Sequence, residues 1–248
     1  MTVGAGTPAR RPPLEAGIVR RLHPGRAVGR AQNAVEVLML DEDGVLTIHL
    51  VRHGETLATR EHRLCGQSDC ALSERGRLQS EAIVESCAAS GDWRAVYSSP
   101  LARCRAIANA VAGRLRIPLS IEKDLLEIDH GRWDGRLEAE VRESEPQAYA
   151  DYASHPGIFA APRGESGFQV AARALPVIER IRAAHQAGEV LVVSHEATIR
   201  IIACALLGID IDLYRTRLAL PVASFTTIEF RSSGPLLRRF GDQAGGTA

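Results

Sequence analysis

"EVLVVSHEATIRIIACALLG", residues 189–208, sets the architecture. Val190, Leu191, Val192 and Val193 form an unbroken apolar run between polar residues, as a strand covered on both faces requires; a strand with one wet face alternates. The run passes through Ser194 and His195 directly into a helix-period stretch. That stretch stops at Gly208, a residue suited to a left-handed C-cap. A buried strand feeding a helix is the building unit of an α/β fold with a mostly parallel sheet.

The same alternation recurs on either side of this unit. "VLTIHLV" (45–51) is β-branched and strand-like, and "LSERGRLQSEAIVESCAAS" (72–90) reads as a helix with Ser73 as N-cap and Leu78, Ile83 and Val84 as a buried stripe. "RAVYSS" (94–99) is a second strand, closed by Pro100 at the start of the helix "LARCRAIANAVAGRL". "ASFTTIEF" (223–230) closes the series as the last expected strand. "DEDG" (41–44) reads as a turn between "VEVLML" and "VLTIHLV", which would add an antiparallel edge strand before the core.

At 248 residues the chain is long enough for one sizeable core. Thirty basic side chains balance thirty acidic ones, so no global field steers it onto nucleic acid or an anionic membrane, and an anion site must be built locally. Cys65, Cys70, Cys87, Cys104 and Cys204 are odd in number and lack a Cys-x-x-Cys pair, which predicts reduced thiols, no structural zinc and a cytoplasmic location. The first 30 residues hold six Arg against the single acid Glu15 and are rich in Pro, Gly and Ala. The expected organisation is a flexible basic extension (1–35), one domain (36–240) and a flexible tail (241–248), with no run apolar and long enough to span a bilayer. An organelle-targeting or membrane-surface role for the Arg-rich arm is the alternative reading. Residues 128–167 concentrate His130, Trp133, Tyr149, Tyr152, His155 and Phe159 in a chain with 4% aromatics. Two readings stand side by side: a substrate-facing insertion or a satellite hydrophobic cluster.

Three strand ends carry the chemistry: "VRHG", "YSSPLAR" and "VSHE". Ligands collect beyond the carboxyl ends of parallel strands, so residues far apart in sequence can converge there. Arg52 and Arg103 offer planar, permanently charged forks that match phosphate oxygens. Arg103 lies in the first turn of its helix, where free N–H groups favour an anion. His53 and His195 supply a nucleophile and a further donor.

In order, "VRHGET", "CGQSDCALSERGRLQS", "YSSPLARCRAIANA", "LLEIDHGRWDG", "PRGESGFQVAAR" and "VVSHEATIR" resemble the motifs of the histidine phosphatase (phosphoglycerate-mutase-like) superfamily over about residues 46–230. The resemblance implies a three-layer α/β/α sandwich and a phosphohistidine intermediate on neutral His53, whose other ring nitrogen donates to a carbonyl. It implies that Arg52, Arg103 and His195, the last cationic when phosphate is bound, stabilise the transferred group, and that Glu127 protonates the leaving oxygen and then activates water. No metal or other cofactor is implied. This chain departs from the family pattern at Thr59, where many members have Asn, and at Glu196, where many have Gly. Both are expected beside the substrate, with Glu196 capping its helix, orienting His195 or repelling a second anion. Glu55 either holds its loop or touches His53.

Mutases of the superfamily carry a long insertion between the acid motif and the Gly-Glu-Ser turn; the short segment from Glu127 to Gly164 and the phosphatase-like "EIDHGRWDG" make the resemblance favour hydrolysis of a small phosphate ester over phosphoglycerate mutation. A dehalogenase-like reading, with Asp41 as nucleophile and Asp43 as proton donor, lacks the later acidic pair that would hold Mg²⁺. A non-catalytic phospholigand-binding module is the third class, and the intact set of nucleophile, acid and arginines argues against it. A homodimer is compatible with the β-branched last strand.

Overall fold

The computed structural model describes residues 44–89 and 91–244. Six strands form one sheet: β1 (Leu46–Arg52), β2 (Trp93–Ser98), β3 (Leu119–Ile121), β4 (Gly188–Ser194), β5 (Ser224–Arg231) and β6 (Gly234–Gln243), in the order β3-β2-β4-β1-β5-β6. The first four strands of that order run parallel, β5 is antiparallel to β1, and β6 is antiparallel to β5. The strand that opened the sequence reading is therefore interior, flanked by β1 and β2, and Val190 to Val193 are all fully buried.

Period-two alternation sorts the strands' side chains onto two helical layers. Leu46, Ile48 and Leu50 of β1 and Val190 and Val192 of β4 pack against α6 (Gly167–Ala184) and α7 (Glu196–Leu207). Val51, Val96, Leu191 and Val193 face α2 (Glu74–Ala89) and α3 (Ala102–Leu115) on the other side. This is the three-layer α/β/α sandwich expected. Helix α7 ends at Gly208 with φ 69°, the left-handed cap read from its sequence.

Several expectations are corrected. Ser73 does cap α2, accepting from Gly76 N at 2.9 Å, but Leu78 is 62% exposed. The buried stripe is Gly76, Ser80, Ile83 and Cys87, because the small residues let the helix press against the loop after β1. A Cβ on Gly76 would meet Glu55 O at 1.9 Å, so that approach needs glycine. β5 is not the last strand: β6 follows through Gln243, which takes in the first residues of the expected tail. Pro235 and the arginines of β6 resemble a loop in composition, yet an edge strand tolerates them. β1 is bonded to β4 on one edge and to β5 on the other over 46–51. "VEVLML", the turn with Asp41 and Asp43, and the basic extension 1–35 lie outside the described residues. No helix among the described residues is long and apolar enough to cross a membrane.

The segment 128–167 folds as α4 (Glu138–Ser144) and α5 (Pro146–Ser154) with connecting turns. Both readings of its aromatics hold in part. Trp133, Tyr152 and Phe159 make a cluster with Leu64, Val141 and Ala161, while Tyr152 and His130 also line the cavity beyond the strand ends; His155 instead pairs outside it with Asp212 at 3.0 Å.

Candidate active site

The site lies beyond the carboxyl ends of β1, β2 and β4. Arg52 is the last residue of β1 and pairs in register with Ser194, so His53 and His195 leave adjacent strands together, their ring centroids 5.2 Å apart. Arg103 enters from the first turn of α3, and Glu127 from the turn before the aromatic segment. A cavity of about 250 Å³ joins Arg52, His53, Arg103 and Glu127 with Thr59 and Glu196. It lies just below the range for drug-sized ligands and suits a small metabolite.

Donor and acceptor chemistry fixes the histidine tautomers. His53 Nδ1 is 2.8 Å from Gly54 O; a carbonyl can only accept, so Nδ1 carries the proton and Nε2 presents its lone pair. Arg103 Nε can only donate, and it does so to His53 Nε2 at 3.2 Å and to His195 Nδ1 at 3.3 Å. His195 Nε2 then bears the proton, directed at Ser99 Oγ at 2.7 Å. Burial, followed by the nearby Arg103, pushes both histidines well below the ordinary imidazole range; the Gly54 carbonyl only partly opposes this for His53. Each ring then carries one proton, on Nδ1 in His53 and on Nε2 in His195.

The arginines are held more firmly than their sequence positions foretold. Arg103 is 2% exposed and gives NH1 to Ser68 O at 2.8 Å and NH2 to Gly66 O at 2.7 Å. Each of those nitrogens keeps one further N–H for an anion. Arg52 donates NH1 to Leu220 O and pairs NH2 with Glu196 Oε2 at 2.5 Å, while its buried Nε has no hydrogen-bond partner among the described residues. One of the N–H groups at the start of α3 is already used: Ala102 N donates to Asp69 Oδ1 at 2.7 Å.

Glu196 neither caps α7 nor touches His195. It lies between Arg52 and Arg200, whose NH2 is 2.6 Å from Oε1. Glu127 sits on the first turn of α7: Oε1 accepts from Ile128 N (2.9 Å) and Thr198 N (3.2 Å), and Oε2 from Ala197 N (3.2 Å). Oε2 has a lone pair to spare for a proton or water. Thr59 Oγ1 bonds Thr56 Oγ1 at 2.9 Å on the cavity wall. Glu55 holds its loop, accepting from Ser73 Oγ at 2.7 Å.

Supporting residues escaped the sequence reading because their partners are distant carbonyls. Arg173 donates to Asp124 O, Leu126 O and Glu127 O at 2.7, 2.8 and 3.0 Å and pairs with Glu165, fixing the chain that carries Glu127. Thr198 Oγ1 bonds Leu126 O at 2.7 Å. Glu165 lies just before α6 and Arg173 within it, so their pairing joins the turn ahead of the helix to its second turn. The cysteine expectation also fails in part: Cys65 and Cys70 form a disulfide, because their loop wraps around the Arg103 guanidinium and brings them together without a Cys-x-x-Cys spacing.

Known proteins resemble this chain in sequence and in fold. Phosphoserine phosphatase 1 of Hydrogenobacter thermophilus is 34% identical over 165 residues, 66% of this chain and 78% of that protein. The metal-independent phosphoserine phosphatase of Arabidopsis thaliana is 36% identical over 163 residues, 65% of this chain and 68% of that protein. The structure of YhfR from Bacillus stearothermophilus superposes with a TM-score of 0.74 at 29% identity, covering 79% of this chain and 97% of that one. The family model described as the histidine phosphatase superfamily (branch 1) matches residues 48–243. The chain belongs to the histidine phosphatase superfamily.

Proposed function

We propose that this phosphatase hydrolyses a small phosphate monoester through a phosphohistidine on His53, without a metal ion. The observation that carries the reading is the Nε2 lone pair of His53. It is fixed by the Gly54 carbonyl on the far side of the ring and faces the Arg103 Nε in a cavity it shares with Arg52 and Glu127.

In the first half-reaction Nε2 gives up the hydrogen bond it accepts from Arg103 Nε and attacks phosphorus in line, the bond to the ester oxygen breaks, and protonated Glu127 gives that oxygen its proton. The phosphoimidazole is then cationic, and the Gly54 carbonyl accepts from its Nδ1–H. Arg52 and Arg103 place fixed positive charge on the equatorial oxygens where charge spreads in the transition state. In the second half-reaction Glu127 takes a proton from water, the water oxygen attacks phosphorus, and the P–N bond breaks. Neutral His53 and inorganic phosphate result. His195 supports the first ring through the shared Arg103 Nε–H and becomes a donor to phosphate once Nδ1 is protonated. Thr59 and Glu196 line the side where the leaving group lies.

Relatives named as phosphoserine phosphatases support hydrolysis of a compact ester, and the name of the plant relative supports metal independence. Phosphate release from an aryl phosphate in EDTA tests the reading with wild type, His53→Ala and Asp41→Asn. Activity should survive EDTA and Asp41→Asn and fall by about 10⁴-fold or more in His53→Ala, as for loss of a covalent nucleophile. Activity lost in EDTA, or retained by His53→Ala, refutes it.

A further inference from the structure

The ring closed by Cys65 and Cys70 bonds Arg103, the start of its helix and the backbone of Glu127. Within it, Gly66 O and Ser68 O accept from Arg103 NH2 and NH1 at 2.7 and 2.8 Å. Asp69 Oδ1 accepts from Ala102 N at 2.7 Å, one residue before Arg103. Gln67 Nε2 donates to Glu127 O at 3.1 Å. Asp134 ties the ring from below, with Oδ1 on Gly66 N at 2.8 Å and Oδ2 on Ser68 N at 3.2 Å. A Cβ on Gly66 would meet Ile128 O at 2.6 Å, so the ring is pressed onto the chain beside Glu127. Four consecutive residues thus hold the arginine, the start of its helix and the backbone of the proton donor.

The bond itself is accessible. Cys65 and Cys70 are half-buried and Cys65 lines the cavity, whereas Cys87, Cys104 and Cys204 are free thiols. Burial pushes Cys87 up to about 12 and Cys204 up to about 11, and raises Cys104 as well, so these three are poor nucleophiles. A ring of so few residues constrains the unfolded chain less than a long one, and its effect is chiefly on local geometry.

We propose that Cys65–Cys70 is a redox-modification site that positions Arg103, with the disulfide form holding the guanidinium for phosphate and the dithiol form releasing it. This assignment rests on the role given to Arg103 above. The switching step is thiol–disulfide exchange with a dithiol reductant. Its thiolate attacks one sulfur, the S–S bond breaks, and the departing cysteine thiolate takes a proton. The second reductant thiol then displaces the mixed disulfide. Two electrons and two protons pass to Cys65 and Cys70, and the reductant becomes a disulfide. Without the closure, the Gly66 and Ser68 carbonyls are free to leave the arginine, whose fork then has to be ordered by the substrate.

The test uses the full chain, air-oxidised and then treated with dithiothreitol, with thiol titration reporting the state of the pair. Dissociation constants for inorganic phosphate are measured by calorimetry and aryl phosphatase kinetics in parallel. Reduction should add two titratable thiols and weaken phosphate binding about ten-fold, the worth of one charge-assisted hydrogen bond, with recovery on reoxidation. Cys70→Ser should bind phosphate like the reduced protein and ignore dithiothreitol. In Arg103→Lys the response of phosphate binding to reduction should shrink below about two-fold, because a residue that cannot make both carbonyl bonds has nothing left to lose. This readout survives loss of turnover. Absence of a reducible pair, unchanged phosphate binding on reduction, or an undiminished response in Arg103→Lys would each overturn the proposal. The phosphohistidine reading stands or falls separately on His53→Ala.

Discussion

Glu196→Gln isolates an acid that lines the proposed phosphate site. Its carboxylate is 2.5 Å from Arg52 NH2 and 2.6 Å from Arg200 NH2, so it withholds part of the positive charge that a substrate would use. A phosphate oxygen on the same arginine lies about 5 Å from that carboxylate, since two hydrogen bonds of about 2.9 Å meet at one guanidinium. Two unit charges at that separation repel by about 3 kcal/mol at an effective dielectric constant near 20, and solvent at a side chain 32% exposed reduces this to about 1–2 kcal/mol. The opposing effect is loss of arginine orientation. Arg52 is only 8% exposed and keeps its NH1 bond to Leu220 O, so charge should outweigh orientation. Inorganic phosphate, assayed as a product inhibitor of aryl phosphate hydrolysis, should bind about 5- to 30-fold more tightly to the variant. The gain should shrink at high salt. Unchanged or weaker inhibition by phosphate in a variant that folds normally would show that Glu196 positions Arg52 rather than tempering it.

Gly76→Ala places a Cβ 1.9 Å from Glu55 O, so backbone must shift; unfolding stability should fall by about 2–4 kcal/mol and activity with it. Gly113→Ala in α3 meets nothing within 4 Å and should gain about 0.5–1 kcal/mol, and equal effects of the two in denaturant melts would contradict the packing argument. For pH, His53, His195 and His49 all have folded-state values below the free imidazole value of 6.5, His49 at about 4 through burial and then Arg239. Between the folded and unfolded values the unfolded chain binds more protons, so their contribution is full above 6.5 and is lost as pH falls, in the case of His49 down to about 4. Melting temperature should therefore decline on acidification below 6.5, while the acid limb of kcat/KM, set by neutral His53, should lie below the ordinary histidine range; a limb at 6.5 would refute the buried, neutral nucleophile.

The parts of the fold legible in the sequence were those written in local periodicity. Val190–Val193 announced an interior strand, Gly208 a helix end and Ser73 a cap, because each expresses a constraint between near neighbours. Leu78 misled because α2 buries its small residues against the loop after β1, and apolar count cannot show that choice. β6 was missed because an edge strand is stabilised by its ladder with β5 rather than by a hydrophobic face. In the site, Arg52, His53, Arg103, Glu127 and His195 were legible as strand-end and motif residues. The groups that hold them were not: Arg173 works through three carbonyls and the Gly66 and Ser68 carbonyls hold Arg103, and carbonyls carry no sequence signature.

That division bears on how the phosphate pocket is organised. The side chains proposed to meet phosphate are few and mutually repulsive: Arg52 and Arg103 face the same cavity, and both flank His53 closely enough to lower its proton affinity. Such a cluster keeps its shape only if fixed dipoles and counter-charges hold each member from behind. Leu220 O and Glu196 do so for Arg52, and Gly66 O and Ser68 O for Arg103. The two arginines therefore differ in kind. Arg103 is anchored by neutral carbonyls and retains its full charge, whereas Arg52 is anchored by a carboxylate that competes with substrate. A phosphoryl group leaving an ester for His53 should accordingly lean on Arg103 throughout, and draw on Arg52 only as far as Glu196 lets go.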